Sequence, residues 1–171
     1  MTAAPPRILL AGIGNIFLGD DGFGPEVLRA LASGPLPGGV RAVDYGIRGM
    51  HLAYDLLEEW DALVLVDAVP GRGRPGGIRV FEVDAQGLGT TAQLDAHGMD
   101  PNAVFASLAA LGGRLPRTVV VGCQIERVDE RIGLSASVSG AVDAAVAEVR
   151  AVLARLGAAA PVGGLAAGTE G

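Results

Sequence analysis

The chain has 171 residues, half of them apolar, with 13 basic residues against 19 acidic ones and a net charge of −6. That length favours one domain with a sizeable core, and with every basic residue an Arg and no basic run or aromatic platform, nucleic acid is not an expected partner. A single cysteine, Cys123, excludes an internal disulfide framework or a Cys-based zinc site, and no apolar stretch approaches the ~20 residues that span a bilayer.

Met1 to Pro6 leads straight into a strand-like run, without the basic and long apolar regions of a secretory signal, so a soluble cytoplasmic protein is expected. Ile8 to Ala11 is a continuous apolar run ending at Gly12, the pattern of a buried strand. A Gly-rich loop follows, then a helix with Val27, Leu28 and Leu31 on one face and Pro25 in its first turn. Val40 to Asp44 reads as a second strand, and Met50 to Trp60 as a helix with Leu52, Leu56 and Leu57 on its core side. Ala62 to Val66 is a strand that closes on Asp67.

After a Gly/Pro/Arg loop, Ile78 to Val83 alternates apolar and polar, as an edge strand with one wet face does. Residues 84–98 are loop-like and contain His97. Asp100-Pro101 opens a helix carrying Val104, Phe105, Leu108 and Leu111, and Thr118 to Cys123 is the last strand. A final helix is expected from Ser139 to Leu156, with Val142, Val146, Val149, Leu153 and Leu156 as its apolar stripe and Gly157 as its stop. Strands alternating with helices indicate an α/β sheet covered on both faces, in a single domain over residues 1–157. The Gly/Ala-rich tail, 158–171, has no periodicity and is expected to be disordered.

In open α/β sheets ligands gather at the carboxyl ends of the strands. Here those ends carry Gly12-Ile13-Gly14-Asn15 with Asp20 and Asp21 beyond, then Asp44, Asp67 and Cys123. Gly12-Ile13-Gly14 resembles half a dinucleotide loop, but the third glycine of that fingerprint falls on Phe17. Asp20 and Asp21 are also what a helix cap would use, and Asp44 what a turn would use. Asp67, following five apolar residues, needs a cation, a donor or a proton if it is buried. His51 lies in a helical pattern and reads as a surface or packing residue, and Cys123 as a small core residue. No G-x-S-x-G is present to support a serine nucleophile. Two of these carboxylates with the imidazole of His97 would make an oxygen/nitrogen donor set that suits nickel, zinc or iron alike.

These residues carry a family resemblance. Gly12-Ile13-Gly14-Asn15-Ile16-Phe17-Leu18-Gly19-Asp20-Asp21-Gly22-Phe23-Gly24 resembles the opening motif of the [NiFe]-hydrogenase maturation endopeptidases. The likeness continues through Asp44-Tyr45-Gly46-Ile47-Arg48-Gly49-Met50, Asp67-Ala68-Val69, Pro75 to Arg79, Ala96-His97-Gly98-Met99, Val121 to Gln124 and Gly133-Leu134-Ser135, covering about residues 7 to 157. The resemblance implies a three-layer α/β/α sandwich with a mostly parallel sheet of about five strands. It places the family's metal ligands on Asp21, Asp67 and His97. The first of these is Glu or Asp in the family; Asp shortens the side chain by one C–C bond, ~1.5 Å, so the local loop must sit closer to the metal. Ile125 stands where a Pro is common.

The implied task is removal of a C-terminal peptide from a [NiFe]-hydrogenase large-subunit precursor after nickel insertion, with the nickel arriving on the substrate. Asp20 or Asp44 would then serve as a base or in support of the site. A monomer is expected of a protein that must dock on a large partner. The alternative is a non-catalytic nickel checkpoint or chaperone, since the chain has no obvious nucleophile.

Overall fold

A computed structural model describes residues 3–83 and 99–158. His97 and all but the first residue of the expected tail lie outside the described residues. Five strands form one sheet in the order β2-β1-β3-β5-β4: β1 (Ile8–Ile13), β2 (Val40–Gly46), β3 (Ala62–Val69), β4 (Ile78–Val83) and β5 (Arg117–Gln124). The β2-β1-β3-β5 pairings are parallel, and β4 runs antiparallel along β5. The central strands are buried along their length because helices cover both faces. The half-wet alternation of Ile78–Val83 belongs to an edge strand, as its pattern predicts.

Strand alternation sorts the core into two layers. Ile8, Leu10, Val64, Val66, Val119 and Val121 pack with Val27, Leu28 and Leu31 of α1 (Phe23–Leu31) and Val149, Val152 and Leu153 of α5 (Val142–Arg155). On the other face Leu9, Ala11, Leu63, Leu65 and Val120 meet Leu52 of α2 (Gly49–Asp55) and Val104, Phe105 and Leu108 of α3 (Pro101–Ala110). This is the α/β/α sandwich expected.

Three helices differ in detail from their sequence patterns. α2 stops at Asp55, short of Trp60, because Leu57 and Glu58 donate to Tyr54 and Asp55 in tight turns, and the Trp60 indole N–H takes the Asp55 carbonyl. Leu57 is consequently exposed while Leu56 stays buried. In α3, Leu111 lies past the helix end and is exposed as well. The last helix, α5, starts at Val142 and not at Ser139, and a short α4 (Ala136–Ser139) that the sequence pattern does not show precedes it across Gly140 and Ala141. Its buried stripe centres on Ala145, Val149, Val152 and Leu153, leaving Val142, Val146 and Leu156 half-buried.

Two glycines shape the connection from β1 to α1. A Cβ on Gly24 would stand 2.3 Å from the Ile13 carbonyl oxygen and 2.5 Å from that of Val66, so the first turn of α1 rests directly on the backbones of β1 and β3. Gly14 has φ +139°, and a Cβ there would meet the Asp21 carbonyl.

Candidate active site

The chain leaves β1, forms β2 on one side, then crosses back over β1 to form β3 on the other. The reversal makes β1/β3 the topological switch point, where the loops diverge and open a crevice. Asp21, in the 3-10 turn Gly19–Gly22 after β1, and Asp67, in β3, lie on either side of it. The turn packs against β3, which brings the two carboxylates to the same edge of the sheet. Asp21 is 1% exposed and Asp67 2%. The Asn15 main-chain N–H donates to Asp21 Oδ2 at 2.8 Å and fixes that carboxylate against the Gly-rich loop.

Asp20 has a different setting. It is fully buried, and its Oδ2 accepts from the N–H groups of Glu126 (3.0 Å) and Arg127 (3.1 Å) and from the Ser135 hydroxyl (2.9 Å). Oδ1 accepts from the Ser135 N–H at 2.7 Å. Burial alone would raise its pKa, but the donors from Ser135, Arg127 and Glu126 outweigh it and hold the carboxyl below its ordinary value. Asp20 therefore ties the loop after β1 to the segment after β5. A carboxylate so committed to donors is better suited to supporting the site than to taking a proton.

Asp44 is exposed at the end of β2, and its Oδ1 accepts the Gly46 N–H at 2.9 Å. It pairs in register with Gly12, which in turn pairs with Val66, so β1 separates it from Asp67 by about 10 Å, two inter-strand spacings. Asp44 lines a cleft of about 320 Å³ with Gly14, Asn15, Phe17, Ile47 and Arg48. The Arg48 guanidinium donates to the Tyr45 and Asp44 carbonyls and closes the turn after β2. Asp21 and Asp67 thus lie on two elements that pack together, with Asp20 turned to the segment after β5 and Asp44 beyond β1.

Among the described residues no group of three His, Cys, Asp or Glu is disposed to hold a metal ion, and His97 is not among those residues. Asp21 and Asp67 supply hard oxygen donors that fit a divalent ion once a third donor joins them. Met99, two positions after His97, is buried against Gly49 in a groove of about 420 Å³ that His51 also lines. His51 itself is exposed on α2, as its pattern suggests. Burial, with the negative charge of Asp20 adding to it, pushes the Cys123 thiol up to about 12, which suits a core residue and not a nucleophile. The buried carboxylates at the start of α1 would repel a pyrophosphate, so the Gly-rich loop does not serve a nucleotide.

Sequence reasoning gave no part to Asn15, whose N–H holds Asp21, or to the hydroxyl of Ser135. Gln124 is a third omission: its side-chain oxygen accepts from the Arg72 and Arg74 N–H groups and folds the Arg-bearing loop over the end of β5. All three belong to the quoted motifs, and only a fold shows what they touch.

The family model described as hydrogenase maturation protease matches residues 25–152. The chain is 33% identical over 147 residues to the hydrogenase expression/formation protein HupD of Rhodobacter capsulatus, spanning 84% of this chain and 70% of that one. It is 29% identical over 153 residues to the hydrogenase 2 maturation protease of Escherichia coli, spanning 88% and 93%. Its fold matches the hydrogenase maturating endopeptidase HybD from E. coli with a TM-score of 0.77 at 28% identity, over 91% of this chain and 96% of that one. With a family model matched over most of its length, this chain belongs to the hydrogenase maturation proteases and is a peptidase.

Proposed function

We propose that the chain removes the C-terminal extension of a [NiFe]-hydrogenase large-subunit precursor after nickel insertion, and that it reads the nickel the precursor carries. The observation behind this reading is the pair of nearly fully buried carboxylates, Asp21 and Asp67, flanking the switch point of the sheet. Two carboxylates in so dry a place favour a cation. With His97 they offer three side-chain ligands, which leaves positions for the precursor's own ligands. Nickel is then part of the substrate, and docking it against the three side chains fixes where the extension lies relative to the protein.

Asp20 supports this arrangement by holding the loop that carries Asp21, and Asp44, exposed on the cleft beside it, serves as a base or in support of the site. A cytoplasmic monomer suits a protein that must dock on a large partner; separately, no described helix is long and apolar enough to cross a membrane. Substituting His97→Ala or Asp67→Asn tests the ligand set in a processing assay with nickel-loaded precursor. Loss of cleavage with an unchanged circular-dichroism spectrum is expected. Normal cleavage by either variant would remove that residue from the site.

A further inference from the structure

β2 is an edge strand, and its outer side ends at the candidate site. The Ile8 N–H donates to the Gly39 carbonyl, and that of Gly14 to the Gly46 carbonyl. With the parallel register Ile8↔Val40 through Gly12↔Asp44, these bonds turn the main-chain groups of Arg41 and Val43 toward β1. Those of Val40, Ala42 and Asp44 point outward. The Val40 N–H is taken by Pro37 and the Asp44 carbonyl by Arg48. The Val40 carbonyl, both Ala42 groups and the Asp44 N–H remain, with no partner among the described residues.

Beside this edge runs a groove of about 400 Å³ between α1 and β2, lined by Leu28, Ala32 and Ala42. It shares Ile16, Pro25 and Asp44 with the cleft of about 320 Å³ at the strand's end. Ala42 and Asp44 lie on the α1 face, so the groove and the outward backbone follow one line into the site. An exposed edge of this kind is a template for another strand. Its small Ala42 leaves room for one.

We propose that an extended segment of the polypeptide substrate binds by adding a strand to the outer edge of β2, pairing with Val40, Ala42 and Asp44. The proposal rests on the endopeptidase reading above, and that reading names the occupant: an enzyme that cleaves a peptide bond must hold the chain on either side of it. The pairing supplies affinity through the substrate's backbone, whatever its side chains, while the α1 groove takes every second side chain.

Ala42→Pro is the test, because proline removes an outward N–H and places its ring where the added strand would lie. It spares the β1 ladder, and Pro is tolerated on an edge at such a position. With nickel-loaded precursor, kcat/KM is expected to fall by about tenfold or more, the effect of at least one lost hydrogen bond. A folded Ala42→Pro protein that cleaves at the wild-type rate overturns the proposal.

Amide exchange on the wild type provides the second measurement, should the proline variant not fold. Exchange at Ala42 and Asp44 should slow several-fold on saturation with precursor, and unchanged exchange there overturns the proposal. So does protection already present in the free protein together with a dimeric mass, which would assign the edge to a second copy. If the wild type cleaves no nickel-loaded precursor at all, the endopeptidase reading fails first, an outcome distinct from a wild type that cleaves and a proline variant that matches it.

Discussion

At the scale of single residues, two neighbours with the same side chain have opposite surroundings. Asp20 and Asp21 both fit a helix cap on sequence alone. The structure gives Asp20 four hydrogen bonds from the segment after β5, while Asp21 accepts the Asn15 N–H within its own loop, beside the switch point. No local pattern could separate them, because the Asp20 partners lie more than 100 positions away. The Asp20→Asn variant should lose about 2–3 kcal/mol, since its amide presents an N–H to donors that need an acceptor. The sign with pH follows from the depressed pKa of Asp20. The carboxylate's stabilisation is fully present above its unfolded pKa, near 4, and disappears as pH falls through its lower folded value. Melting curves of wild type and variant should therefore differ at neutral pH and converge in acid. Gly24→Ala belongs to the same scale: its Cβ would press on the Ile13 and Val66 carbonyls, and a loss of about 1–3 kcal/mol or more is expected in denaturant unfolding.

At the scale of elements, most of the fold was legible because burial writes simple patterns. Continuous apolar runs marked β1, β3 and β5, and alternation marked β4 as an edge. Periodicity was less informative about where helices end. Met50 to Trp60 kept a helical pattern past Asp55, but Trp60 is drawn back onto the Asp55 carbonyl and stacked beneath the guanidinium groups of Arg7 and Arg41. Those partners come from other elements and are invisible to a local reading. The short α4 was hidden as well, since the expected helix begins only at Ser139, where α4 ends. The start of α3 was legible from Asp100-Pro101, and the Asp100 carboxylate does accept the Asn102 N–H at 2.9 Å. Asp100→Ala should cost about 1 kcal/mol, read as a fall in melting temperature of roughly 2–4 °C.

At the scale of the whole molecule, the order β2-β1-β3-β5-β4 matters most, because it converts residues scattered through the chain into one site. The strands could be read from sequence, although β2 and β3 each run two residues past the ends expected at Asp44 and Asp67, but which strands are neighbours could not. The order places Asp21 and Asp67 across the switch point and sends Asp44 to the far side of β1, at the head of an open edge. The central claim is that this site reads nickel carried by the precursor. Its most direct test is a processing assay on nickel-loaded and nickel-free large-subunit precursor, with the shortened product followed by mass spectrometry. Cleavage of the loaded precursor alone is the predicted result, and equal cleavage of both would contradict it.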